Sequence, residues 1–178
     1  MLKFTAIATA AVLLSPALAH AQTRQGDALI VYGDGWAFSV REPAGWHGDC
    51  RAAAQWHANI IFYRDAAAIA QGSGLIRVVI ARKADENTAN DLERDMAGYR
   101  RDYPGVQFLP LEVAHPRYAV FPKLFALPGA FYEYVTYLNP GPTNSYLFSV
   151  AYNSASSPAS PAELRAYREV VASVSALR

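Results

Sequence analysis

Two runs of this chain, residues 130–138 and 146–153, constrain its fold more than any other segment. They are rich in aromatic and β-branched residues, and Asn139-Pro140-Gly141-Pro142-Thr143-Asn144-Ser145 joins them. That composition predicts an antiparallel hairpin with a turn-rich loop. Side chains alternate along a strand, so Tyr146, Phe148, Val150 and Tyr152 share one face while Leu147, Ser149 and Ala151 share the other. On the first run Phe131, Val135 and Tyr137 share a face with one charge, Glu133, and Tyr132, Tyr134, Thr136 and Leu138 line the opposite one. Neither face is polar enough for water. A sheet built on this hairpin needs a cover on both sides.

Helices are the expected covers. Ser160-Pro161-Ala162-Glu163 reads as a capping box with proline at the first helical position, where its missing N–H costs nothing. Leu164, Tyr167, Val170, Val171, Val174 and Leu177 then form an apolar stripe. An earlier helix is predicted from a capping-box-like Thr88-Ala89-Asn90-Asp91, with Leu92, Met96, Tyr99 and Tyr103 at helical spacing and Pro104-Gly105 as its stop. Further strands are expected at 36–40, 60–63 and 75–82, the last entered through Gly72-Ser73-Gly74. Glu42-Pro43-Ala44-Gly45-Trp46 turns the chain after the first of them. Pro110, Pro116 and Pro122 limit the extended pieces at 106–113 and 118–125 to edge or irregular strands. The expected class is α+β, an antiparallel sheet covered by helices in one domain, residues 36–178, behind a flexible lead at 22–35.

The N-terminus reads as an address. Lys3 supplies a positive start, residues 4–14 an apolar run, Ser15-Pro16 a helix break and Ala19-His20-Ala21 a small-x-small cleavage site. The apolar run is about a dozen residues, short of the roughly twenty that span a bilayer. The expectation is a bacterial Sec-type signal peptide, residues 1–21, cleaved after Ala21, and a periplasmic or secreted protein with no remaining transmembrane segment. The chain carries 16 Lys and Arg against 15 Asp and Glu. Loss of Lys3 balances them, and no basic stripe runs along the chain, which argues against nucleic acid as a partner. Cys50 is the one cysteine. A monomer held by its apolar core, or a dimer linked through Cys50, follows from that count.

The segment Phe38-Ser39-Val40-Arg41-Glu42-Pro43-Ala44-Gly45-Trp46 resembles the entry of the PsbP/Mog1-like domain family, a strand of the type F-S-hydrophobic-x-x-P-x-G-W. The mid-chain helix, the aromatic hairpin and a final helix ending in Val171-Ala172-Ser173-Val174 resemble that family's order of elements. The resemblance covers nearly the whole mature chain. It implies an antiparallel sheet sandwiched between helices in an α/β/α arrangement, and a bias toward non-catalytic, partner-binding roles. Residues 49–59 and the proline-rich centre have no match in that pattern.

Candidate chemistry is sparse. His47, Asp49, Cys50 and His57 are the residues whose types suit zinc or copper, with imidazole and thiolate as ligands. Their His-x2-Cys-x6-His spacing is not a standard one, and the bland reading is surface or core-satisfied side chains. Cys50 paired with His57 or His115 would make a thiol dyad, and His115 alone a general base. Tyr132, Tyr134 and Tyr137, with Tyr146 and Tyr152, suit a half-apolar, half-wet docking surface for an envelope protein partner, against the bland reading of core aromatics. Two functional expectations result. One is a non-catalytic binding or accessory factor of the cell envelope, without a cofactor. The other is a metal-binding or thiol-dependent periplasmic protein using His47, Cys50 and His57.

Overall fold

A computed structural model describes residues 21–84 and 87–177 of the 178-residue chain. Residues 1–20, all but the last residue of the expected signal peptide, lie outside the described residues. Strands are β1 (Ala21–Gln25), β2 (Ala28–Gly33), β3 (Trp36–Arg41), β4 (His47–Asp49), β5 (Ile60–Tyr63), β6 (Leu75–Arg82), β7 (Gln107–Leu109), β8 (Ala119–Leu127), β9 (Phe131–Asn139), β10 (Tyr146–Ser154) and β11 (Ser175–Leu177). Helices are α1 (Cys50–Ala53), α2 (Ala67–Gln71), α3 (Thr88–Asp102) and α4 (Pro161–Ser173), and a 3-10 turn follows α1 at Ala54–Trp56. The α+β class holds. Among the described residues no helix is long and apolar enough to cross a membrane.

The strands form two antiparallel sheets. Seven lie in the order β4-β5-β6-β10-β9-β8-β7, with the expected hairpin, β9 and β10, at the centre in the register Phe148↔Leu138 to Ser154↔Tyr132. The other four lie in the order β1-β2-β3-β11. Residues 22–35, expected as a flexible lead, are therefore largely strand. Leu29 and Val31 alternate inward on β2 and, with Trp36, Phe38 and Val40 of β3, bury one face of the small sheet. That buried alternation is the physical reason for order there.

The small sheet and α4 together cover one face of the large sheet. Phe38, Phe62, Phe148 and Tyr167 are fully buried in this layer, each stabilising by about 2–3 kcal/mol. Tyr167 reaches from α4 to Thr136 Oγ1 at 2.6 Å, so the buried threonine hydroxyl on β9 has a partner. The cover expected to be all helix is thus half sheet. Gly48 shows how closely the sheets meet. A Cβ there would stand 2.6 Å from the Leu29 side chain.

Helix boundaries followed local chemistry with two exceptions. The α4 capping box forms as read, with Ser160 and Glu163 exchanging bonds to each other's backbone. At α3 the cap is Asn87, whose side chain accepts from the Ala89 N–H at 3.1 Å, one residue before the expected Thr88. The α4 stripe stops at Ser173 instead of running to Leu177, because the tail pairs with β3 as β11. Pro122 lies inside β8, opposite Thr136, beyond the three residues that β7 pairs, where β8 is itself an edge.

Candidate functional site

The segment that carried the metal reading is ordered by its backbone. Asp49 caps α1, its Oδ1 accepting from Arg51 N at 2.7 Å and Ala52 N at 2.9 Å. Cys50 turns into the main core, and burial first, then the Asp49 charge, pushes its thiol up to about 12. A thiol so held is neither nucleophile nor ready ligand. An intermolecular disulfide through it requires local opening. His47 is exposed beside the Tyr63 ring, and His57 is exposed in the left-handed region at φ 50°, closing the 3-10 turn. Among the described residues no group of three or more His, Cys, Asp or Glu converges to hold a metal. His115 is engaged with the Val174 carbonyl and with two backbone N–H groups of its own loop, and no contact among the described residues joins Cys50 to His57 or to His115.

The tyrosines divide between the two faces of the large sheet. Tyr134 is buried on the α4 side, its hydroxyl accepting from Ala159 N at 3.1 Å. Tyr152 is buried beside it against Trp46, and Tyr132 and Tyr146 are half-buried at the margin. Tyr137 is buried on the opposite, α3, side. Tyr132, Tyr134 and Tyr137 thus form no single exposed patch, because alternate residues of β9 point to opposite layers. Tyr134 and Tyr137 are core residues.

The α3 side holds the chemistry that sequence reasoning noted only in part. Leu92, Met96 and Tyr99 of α3 pack on Phe125, Phe131, Val135 and Leu147. Into this layer project Arg77 from β6 and Glu133 from β9. Glu133 accepts from the Arg77 guanidinium and from the Tyr99 hydroxyl, and is 2 % exposed. A carboxylate so buried is tolerable only when paired and hydrogen-bonded. Beside it Asp95 of α3 is half-buried, and its Oδ2 accepts from the Tyr137 hydroxyl at 3.1 Å. Desolvation, then the nearby Glu133 charge, raises Asp95 to about 6, against the opposing Tyr137 bond and Arg77 charge. The readable signal was a lone acid on an apolar strand face and a lone base inside a β-branched strand. Their meeting depends on register, since Arg77 pairs with Ala151 and Ala151 with Val135.

This side of the sheet has two separate covers. One is α3 over β8 and β9. The other is α1, the 3-10 turn and α2 over β5 and β6, where Ala53, Ala58, Ile61 and Leu75 are buried and Trp56 packs at the edge. Gly72, at φ 65°, lets α2 end against the Trp56 ring, which a Cβ would meet at 2.4 Å. Where the covers meet the central strands β6 and β10, Val79 packs against the α1–α2 cluster and Ala151 against the α3 cluster. Both, with Ser149 between them, keep partial exposure. Ser149 pairs with Tyr137, whose hydroxyl holds Asp95. A strip of small side chains with an ionisable rim results.

The chain matches no protein-family model, no curated protein and no solved structure.

Proposed function

We propose that the chain is an exported, envelope-resident binding or accessory protein without catalysis, which receives a segment of an envelope protein partner on the strip between α3 and the α1–α2 cover. The observation that carries this reading is the partial exposure of Val79, Ser149 and Ala151 at the centre of a seven-stranded sheet. Central strands are where a sheet is ordinarily best covered. Small residues there leave room for an inserted side chain, and Asp95 offers a carboxylate that favours a hydrogen-bond donor or cation at the rim. The signal-like residues 1–21 and the PsbP/Mog1-like order of elements support the same reading, the first for export and the second for a partner-binding role.

Co-purification from the native envelope tests it when the wild type is compared with Ser149→Trp, which fills the strip. The expected result is a partner retained by the wild type and lost by the variant at an unchanged melting temperature. Identical retention by both proteins removes the strip from the interface. N-terminal sequencing of the exported protein is expected to start at Gln22, and a start at Met1 overturns the export reading.

A further inference from the structure

The loop between β7 and β8, residues 110–118, fastens the C-terminal strand through a one-to-one set of side-chain bonds. His115 Nε2 lies 3.0 Å from the Val174 carbonyl. The Arg117 guanidinium donates to Ser175 Oγ at 2.5 Å. The Tyr118 hydroxyl accepts from Ala176 N at 2.9 Å. Three side chains of the loop therefore hold residues 174, 175 and 176 in turn. The strand they hold is short: β11 pairs with β3 over Ser175↔Ser39, Ala176↔Phe38 and Leu177↔Ala37.

The histidine is held in one protonation state by its other nitrogen. Nδ1 accepts from the backbone N–H of Arg117 at 3.0 Å and of Tyr118 at 2.8 Å. An imidazole nitrogen that accepts carries no proton, so the ring is neutral and Nε2–H donates to Val174. Its plane stacks on Tyr118 with centroids 4.3 Å apart. The residue precedes Pro116, which holds its backbone extended.

We propose that His115 is the pin of a proton-operated latch, and that protonation at Nδ1 frees β11 from the edge of β3. A proton on Nδ1 would set an N–H against the backbone N–H groups of Arg117 and Tyr118, so both acceptor bonds fail together. The two residues that bond Ser175 and Ala176 then lose the backbone bonds that place them, while Nε2–H still donates to Val174. The charged groups on the surrounding elements are Glu112 and Arg117 on the loop, Glu163, Arg165, Arg168 and Glu169 on α4, and Arg41 on β3. Of these, Arg117 bears on the ring and opposes a second positive charge. Arg168 is turned to the Glu112 carbonyl at 3.3 Å. Burial, acting with Arg117 against the Val174 bond, holds His115 below the ordinary histidine value. The contribution of the latch is therefore full above the unfolded-chain value of about 6.5 and is lost as pH falls through the lowered folded value. Release leaves Ala37, Phe38 and Ser39 as an unpaired strand edge, a surface able to accept another strand.

Nuclear magnetic resonance on the 15N-labelled protein tests the latch. The imidazole nitrogens at pH 7.5 are expected to report the Nε2–H tautomer. The protection factor of the Ala176 amide is expected to fall by at least about tenfold on acidification, with a midpoint equal to that of the His115 ring, because each lost tenfold corresponds to one decade in the opening equilibrium. His115→Asn places an amide oxygen where Nδ1 stands and does not titrate, so its Ala176 protection is expected to be flat with pH. An Nδ1–H tautomer, separate midpoints in the wild type, or the same loss in His115→Asn overturns the proposal. The first two readouts need no variant.

Discussion

The two faces of the seven-stranded sheet are covered by different means. On the α4 side the small sheet and α4 merge into one continuous apolar layer, with Phe38, Phe148, Val150 and Tyr167 excluded from water. Its buried polar groups are neutral, such as Thr136 against Tyr167. On the α3 side two smaller clusters stay apart, and a buried ion pair and a half-buried acid lie within and beside them. The lesson is a division of labour. One face supplies stability through area, and the other gives up area for ionisable groups and a partly exposed strip.

Mutations rank along this contrast. Phe148→Ala is expected to cost about 3–5 kcal/mol in chemical denaturation, through a cavity in the continuous layer. A cost under about 1.5 kcal/mol would mean that this layer is not the main source of stability, by the same scale. Glu133→Leu is expected to cost about 3 kcal/mol, because it strips Arg77 of the Glu133 carboxylate inside the protein. The double variant with Arg77→Met is expected to recover most of that loss, and a double variant as unstable as the single would show that the pair itself is strongly favourable.

A smaller effect sharpens the comparison through pH. The folded protein holds the Asp95 proton more tightly than the open chain does, so its contribution to stability is full below the usual aspartate value of about 3.9 and is lost as pH rises through about 6. Asp95→Asn is therefore expected to add about 1–2 kcal/mol at pH 7.5 and almost nothing at about pH 3, below the unfolded-chain value, as the raised value implies. Equal gains at both pH values would assign the effect to packing. Loss of the His115 latch runs in the opposite direction, appearing as pH falls. Smallest of all, Ser149→Ala on the open strip is expected to change stability by no more than about 0.5 kcal/mol. A larger loss would show that the strip is part of the packed core.

Much of the fold was legible because its signals are local. The strand at Leu75–Arg82 matches its β-branched run residue for residue, and the aromatic hairpin places Glu133 and Tyr137 on one face and Tyr134 and Thr136 on the other, as alternation requires. The Ser160 capping box is written in four consecutive residues. Less legible were β1, with polar, exposed side chains at Gln22 to Gln25, and the three residues of β11. Neither has a periodicity of its own, and each is a strand only because β2 or β3 offers an edge. The site was divided in the same way. Arg77 and Glu133 are separately visible as charges in apolar strands, yet 56 positions separate them.

The sequence by itself determined the covered central hairpin, the two long helices and the α+β class, because alternation, helical spacing and capping act within a few residues. Only the tertiary structure decided that half of one cover is a second sheet, that Tyr134 and Tyr137 serve different cores, and that Arg77, Glu133, Tyr99 and Asp95 meet beneath α3. It also decided that His115 reaches Val174. Those outcomes depend on register and on which edges remain free once the core has closed, and no short stretch of chain contains that information.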